Sequence, residues 1–276
     1  MNKLSYKIRG RQTLSMVIIV LLFLGACATV PLTGRKQLSL VPESDMMALS
    51  LTEYSKFIST NKVSTDKNKT AMVRRVGDRI SKAVDAYMAT VGLSKNLEGY
   101  KWEFNLIEDP TVNAWCMSGG KVVVYTGLLP IAQSESALAT VMGHEIAHAV
   151  ARHGSERMSD QMLVQLGGTA LTAALAQKPE QTRQIAMTAF GVGSQVGVIL
   201  PFSRQHEYEA DYMGLIFMAM AGYDPNESIA FWERMAKQGG TKPPEFLSTH
   251  PVDENRIAKI KEKMPEAMAY YSKAKK

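Results

Sequence analysis

Over much of the chain, apolar residues recur every three or four positions, a spacing that predicts amphipathic helices. The clearest case starts near Ala71, where the apolar positions are Val73, Val76, Ile80, Val84 and Tyr87. The same period predicts further helices over about 43–57, 134–153, 203–221, 226–237 and 253–274. Glycines follow two of these helices, with Gly154 suited to the C′ position of one and Gly222 stopping another.

The pattern changes to a period of two at Tyr100. Trp102, Phe104 and Leu106 alternate with polar residues, as in a strand with one buried face. Residues 112–117 and 121–125, joined by a turn with two glycines, predict a β-hairpin. The chain is therefore expected to have an α+β fold that is mostly α-helical, with a small β-sheet.

The segment 163–201 is apolar and contains five glycines. No uninterrupted apolar run in it reaches the roughly 20 residues that a membrane-spanning helix needs. Two short helices packed in the core are favoured there over a mobile lid or a membrane-contacting element.

The amino terminus has the features of an export signal. Four cations precede an apolar run over 16–28, which is shorter than a spanning helix. The run includes Leu24-Gly25-Ala26-Cys27, which resembles the lipobox of bacterial lipoproteins. We therefore expect a signal peptide over 1–26, lipidation of Cys27, a lipid anchor, tether and short helix over 27–60, and the main domain over 61–276. An uncleaved N-terminal anchor is the alternative.

Charge and cysteine content narrow the class of protein. The net charge is +6, but four positive charges precede Cys27, which leaves only +2 for the rest of the chain. This small and evenly spread excess gives no support to nucleic-acid binding. Cys116 is the second of two cysteines, so lipidation of the first would leave no disulfide framework.

One motif predicts specific chemistry: His144-Glu145-Ile146-Ala147-His148. On a helix the two histidines lie about 40° apart and one turn apart, so both imidazoles can bind one ion. This spacing predicts a zinc site with His144 and His148 as ligands. Glu145 flanks them and is predicted to be the general base that takes a proton from water.

A catalytic zinc site of this kind needs a third protein ligand. In the helix predicted from Ser203, Glu207 and Asp211 are four residues apart and share a face. Glu207 is therefore the predicted ligand, and Asp211 the predicted acceptor for the free N–H of a ligand histidine. His206 is retained as an alternative third ligand.

Two nearby residues are expected to lie outside the metal site. His153 follows the motif by five residues and would face about 140° around a continuous helix. Glu209 would lie about 200° from Glu207 and point away.

The order of these motifs resembles that of the HtpX, Oma-like and CAAX-prenyl-protease family of gluzincin metalloendopeptidases. Further matches are Asn113-Ala114-Trp115, Gly119-Gly120, Thr249-His250-Pro251 and Arg256. The resemblance covers roughly residues 65–265 and is to the periplasmic lipoprotein branch, as a BepA-like catalytic domain without tetratricopeptide repeats. It implies a zincin-like metalloprotease domain with the HExxH helix beside the sheet, one Zn²⁺ per chain, and Glu207 as third ligand.

The same resemblance implies endopeptidase activity on proteins. The expected substrates are unfolded or mis-assembled cell-envelope proteins, cleaved by an enzyme anchored to a bacterial membrane, at the periplasmic face of the outer membrane. The alternative is a non-catalytic or chaperone-like lipoprotein that keeps the fold. Glu145 argues against this alternative, because a binding protein needs no general base.

Two further roles are expected, one for the substrate and one for the metal site. An extended substrate is expected to add as a strand along Asn113, Ala114 and Trp115, with core packing as the alternative for the indole. His250 is expected to be catalytic, donating to the oxyanion that develops opposite the zinc. Its alternatives are a zinc ligand that must swing out, and a loop residue that only shapes the last helix.

Overall fold

The computed structural model describes residues 27–238, 244–252 and 254–275. The predicted signal peptide and Asp253 lie outside the described residues. The strands are β1 (Cys27–Thr29), β2 (Lys36–Leu38), β3 (Glu103–Ile107), β4 (Ala114–Met117) and β5 (Lys121–Tyr125). The helices are α1 (Glu43–Thr60), α2 (Lys67–Thr90), α3 (Leu129–Ala132), α4 (Glu135–Val150), α5 (His153–Ala174), α6 (Glu180–Ser194), α7 (Leu200–Met220), α8 (Glu227–Lys237), α9 (Glu245–Thr249) and α10 (Glu254–Ala274). The mostly helical α+β fold is confirmed.

The central sheet has the strand order β3-β5-β4, with β3 parallel and β4 antiparallel to β5. The predicted hairpin is confirmed, and both glycines of its turn have positive φ angles of 87° and 82°. The strand β3 is more buried than its alternating pattern predicted. Asn105 is buried because α1 covers the second face, where the hydroxyl of Tyr54 accepts its amide hydrogen.

The helix α4 carries the HExxH motif through the centre of the molecule. Its first turn is capped by Ser134, whose hydroxyl accepts from the backbone N–H of Ala137 at 3.1 Å. Small residues let α7 approach closely, and Gly143 and Gly214 meet where the helices touch. A Cβ atom on Gly214 would lie 2.7 Å from the backbone nitrogen of His144. This pair of glycines therefore sets the distance between the motif and the helix of the predicted third ligand.

The predicted end of this helix at His153 is wrong. The helix α4 ends at Val150, and Arg152 adopts a left-handed conformation with φ of 60° before α5 begins. The predicted cap, Gly154, lies inside α5. The guanidinium of Arg152 donates to the carbonyl of Asn96 at 3.2 Å, so a tertiary contact holds a non-glycine residue in this conformation.

The expectation of core helices over 163–201 is also wrong. The helix α6 has no buried residue, and a π-helical turn, Gln195–Ile199, joins it to α7. Several apolar side chains of this region are exposed: Leu166, Ile185, Val192, Val196 and Leu200. Within the described residues, no helix is both long enough and apolar enough to cross a bilayer.

The segment expected to be a tether, residues 28–36, belongs to an ordered hairpin. The strands β1 and β2 pair in antiparallel fashion, and Val30 between them is fully buried. The buried amide of Gln37 donates to the carbonyl of Ala151 at 2.8 Å. The hairpin therefore packs on the junction between α4 and α5, while Cys27 at its start is exposed.

Candidate metal centre

Four ionisable side chains meet where α4, α7 and the residue after α9 come together. They are His144, His148, Glu207 and His250, and all four are buried. One potential ligand atom from each lies within 4.8 Å of the others. The two histidines come from one face of α4, as the helical spacing predicted, and Glu207 comes from α7.

The distances within this group fit a single zinc ion. The Nε2 atoms of His144 and His148 are 3.1 Å apart, and each lies 3.3 Å from an oxygen of Glu207. A tetrahedral ion with bonds of about 2.0–2.1 Å would separate its ligand atoms by roughly 3.3 Å. Two imidazoles and a carboxylate are also the donor set of many catalytic zinc sites.

Hydrogen bonding leaves the metal-facing nitrogen of His144 without a proton when the ring is neutral. Its Nδ1 donates to Asp211 Oδ1 at 3.0 Å, so Nε2 points a lone pair at His148. Two facing lone pairs repel unless a cation or a proton lies between them. Burial opposes protonation of this ring, but hydrogen bonds to Asp211 and Glu207 raise the pKa of His144 to about 9.

Glu145 lies beside the four side chains and is 3% exposed. Its Oε1 has no hydrogen-bond partner among the described residues and is 3.6 Å from His250 Nε2. Burial raises the pKa of Glu145, although the nearby rings of His250 and His144 oppose the shift. A carboxylate with a raised pKa and an oxygen that makes no hydrogen bond to the described residues is suited to accept and release a proton.

Arg256 fixes the carboxylates around the histidines. Its guanidinium donates to both oxygens of Asp211, each at 2.7 Å, and lies 3.1 Å from Glu207 Oε2. The group is 4.3 Å from the ring centroid of Trp232. Although burial alone would raise the pKa of Asp211, this guanidinium keeps it below its usual value. In the sequence, Arg256 is visible only as a match to the family, because a contact across 45 residues leaves no local pattern.

His250 lies among the potential ligand atoms. Its Nδ1 is 3.0 Å from Glu207 Oε1 and 3.3 Å from His144 Nε2, and its ring stacks on Phe246. With His250 the group offers four protein donors, whereas a catalytic zinc site keeps one position open. This geometry favours the interpretation of His250 as a ligand that must swing out over its expected role as an oxyanion donor.

The side chains predicted to bind substrate are largely used in packing. Asn113 and Ala114 are buried, and the side-chain oxygen of Asn113 accepts from the next backbone N–H. Trp115 packs edge-on against Phe57, with ring centroids 4.9 Å apart. Since β4 is an edge strand of the central sheet, its backbone is the part suited to pair with an extended substrate.

A second cluster contains His206, the alternative third ligand, together with His153 and Glu209, which were expected to lie outside the metal site. His206 Nε2 lies 2.8 Å from Glu156 and not against the HExxH histidines, so the structure places Glu207 there instead. His153 lies outside the metal group, as expected, but the expectation that it faces away from the motif is wrong: its Nδ1 is 2.9 Å from His148 Nδ1. The cause is the early end of α4. Glu209 does point away from the metal group, but it is buried against His153.

Comparison with known proteins agrees with this geometry. Peptidase family M48 matches residues 74–264. The chain is 39% identical over 190 residues to mitochondrial metalloendopeptidase OMA1 of Schizosaccharomyces pombe, covering 68% of this chain and 53% of that protein. It is 30% identical over 246 residues to metalloendopeptidase OMA1 of Homo sapiens (86% and 46% covered) and 36% identical over 163 residues to the beta-barrel assembly-enhancing protease of Escherichia coli K12 (57% and 33%). The chain thus spans about half, or less, of the length of these relatives.

Proposed function

The chain belongs to peptidase family M48, and on that premise we propose that it is a zinc metalloendopeptidase that hydrolyses peptide bonds within protein substrates. One observation carries the proposal. The buried group of His144, His148 and Glu207 has zinc-like spacing and lies next to an oxygen of Glu145 that makes no hydrogen bond within the described part of the chain. A purely structural zinc site would need no such carboxylate beside it.

Each residue of the site has a separate role in hydrolysis. His144, His148 and Glu207 would hold the ion, and Asp211 keeps His144 in the tautomer that exposes Nε2. Zinc bound there would polarise the scissile carbonyl and lower the pKa of a water molecule towards about 7. Glu145 takes a proton from that water on Oε1 and delivers it to the leaving amine nitrogen. The outer edge of β4 pairs with the extended substrate.

Casein cleavage tests this function against the alternative of a non-catalytic, chaperone-like protein. Purified protein loaded with one zinc per chain is incubated with unfolded casein at pH 6–8, with and without a chelator. We expect cleavage that the chelator abolishes and added zinc restores. Absence of chelator-sensitive cleavage over this whole pH range would favour the non-catalytic alternative.

His250 closes the metal site in this proposal, and its removal should raise activity. His250→Ala leaves three ligands, so zinc content should stay at one per chain. The casein kcat should rise, because an enzyme whose competent state is only partly populated loses rate in proportion. Ser248→Ala, at an exposed position two residues earlier, is the control. A fall in kcat of roughly 10²–10³ would instead support the oxyanion role.

The substrates that we propose are unfolded or mis-assembled proteins of the cell envelope, reached from a lipid anchor on Cys27. Three observations support this proposal: the lipobox-like residues before Cys27, the exposure of that residue, and a relative named as a beta-barrel assembly-enhancing protease. An edge strand that binds substrate through its backbone is also suited to unfolded chains of varied sequence. The proposed location is the periplasmic face of the outer membrane.

Mass spectrometry of protein purified from its native host tests the anchor. We expect the mature chain to start at a diacylated Cys27, because small residues at 25 and 26 suit cleavage by a signal peptidase. Cys27→Ser should abolish the lipid mass, whereas Cys116→Ser should leave it unchanged. An intact amino terminus, or cleavage elsewhere without lipid, would remove the assignment.

A further inference from the structure

We propose that His153, held by Glu209 and Arg35, positions the zinc ligand His148, so that the amino-terminal hairpin β1–β2 is a working part of the metal centre. The inference rests on the proposed function, since it assigns these residues a role towards bound zinc. Arg35 lies outside the residues that match the peptidase family.

The first step is the contact between two imidazoles. The Nε2 atom of His148 faces the metal group, so its Nδ1 carries the proton when a metal is bound. This Nδ1 lies 2.9 Å from Nδ1 of His153, which is fully buried. Only a bare nitrogen can accept at that distance, so His153 is a neutral ring with its own proton on Nε2. This N–H points to Glu209, and the distance between His153 Nε2 and Glu209 Oε2 is 3.3 Å.

The second step is the anchoring of Glu209 by the hairpin. Its two oxygens accept from the hydroxyl of Thr33 at 2.7 Å and from Arg35 Nε at 2.8 Å. The rest of the Arg35 guanidinium makes a paired contact with Glu156, at 2.6 Å for each bond. Arg35 therefore forms ion pairs with two largely buried carboxylates and holds both in place.

The ring of His153 has little freedom to rotate. His206 stacks on it with ring centroids 4.3 Å apart and planes inclined by 17°. His206 is fixed in turn by Glu156, the second carboxylate that Arg35 contacts. Rotation of His153 would therefore break its bonds on both sides and disturb a stacked neighbour.

The two zinc-binding histidines thus have matching support from opposite sides. Asp211, held by Arg256, accepts from His144. On the other side His153 accepts from His148 and donates to Glu209, which Arg35 holds in place. Partners of this kind fix the tautomer and orientation of a ligand ring, and their loss costs about 10–100-fold in metal affinity or activity. Detaching the β1–β2 hairpin should therefore weaken zinc binding, although several side chains lie between the hairpin and the metal site.

Zinc affinity, measured on the purified protein by competition with a chromophoric chelator, tests the proposal. We expect His153→Ala to weaken zinc binding by about 10–100-fold and Arg35→Ala by at least about 3-fold. The matched control is Lys36→Ala, the exposed neighbour on the same hairpin, which should bind zinc normally. His153→Gln should recover much of the affinity, because its amide can both accept from His148 and donate to Glu209.

Casein kinetics separate positioning from a general loss of structure. A positioning role predicts a lower kcat at saturating zinc with KM unchanged, since these residues do not line the substrate strand. Unchanged zinc affinity in both His153→Ala and Arg35→Ala would overturn the inference, as would a loss that His153→Gln does not recover. Zinc affinity is measured without substrate, so it remains readable if the proposed peptidase activity fails.

Discussion

Glu145→Gln is expected to lose nearly all peptidase activity while still binding one zinc per chain. The two side chains have the same size, and Glu145 is not among the four potential ligands, so the metal group should be intact. An amide cannot take the proton from the attacking water or carry it to the leaving amine. General acid–base catalysis by a positioned side chain contributes about 10²–10⁴-fold, and the loss should fall in that range.

The measurement pairs casein turnover with zinc content by metal analysis on the same preparation. Glu135→Gln is the matched control, because Glu135 lies on the same helix at its first turn, where it pairs with Arg75. It should keep full zinc and near-normal turnover. If Glu145→Gln kept more than a tenth of the activity, another group would have to be the base.

Glu207→Ala should lose both zinc affinity and activity, and its loss of zinc affinity is the largest that we expect for any of these variants. It removes the oxygens that lie 3.3 Å from each HExxH imidazole. It also removes the negative charge that, with Asp211, favours a cation in a buried pocket. Because loss of an outer partner alone costs about 10–100-fold, loss of a ligand should weaken zinc binding by more than about 100-fold.

Comparison with His206→Ala distinguishes the two candidate ligands. Chelator competition should show a far smaller loss for His206→Ala, because this ring lies against Glu156 rather than against the HExxH pair. Normal zinc binding in Glu207→Ala together with strong loss in His206→Ala would identify His206 as the third ligand and refute the arrangement described above.

Much of the secondary structure could be predicted, because the spacing of apolar residues within a segment indicates whether that segment forms a helix or a strand. The spacing of Val73, Val76 and Ile80 predicted α2, and the glycine turn predicted the hairpin of β4 and β5. The helix from Leu200 to Met220 likewise lies where the apolar period placed it. These features depend on contacts between residues fewer than about ten positions apart.

The composition of a segment did not reveal which other parts of the chain pack against the helix or strand that it forms. The apolar residues of 163–201 form helices, yet α6 has no buried residue. Residues 28–36 have the proline and glycine of a tether, yet they belong to a hairpin whose Gln37 amide bonds to the end of α4. Burial depends on which surface lies opposite, and that surface comes from distant parts of the chain.

The metal centre shows the same division. The sequence alone placed His144 on the same helix face as His148, and Glu207 on the same face as Asp211, because four residues on a helix advance slightly more than one full turn. It also predicted Glu145 as the general base, since the motif places it beside the pair.

Only the tertiary structure decided how these two pairs meet and what supports them. Two glycines on different helices set the approach of α4 to α7. Arg256 reaches Asp211 across 45 residues, and Arg35 reaches Glu209 across 174. Helical spacing fixes an angle within one helix, but it carries no information about distances between helices. Those distances follow from how the buried side chains pack.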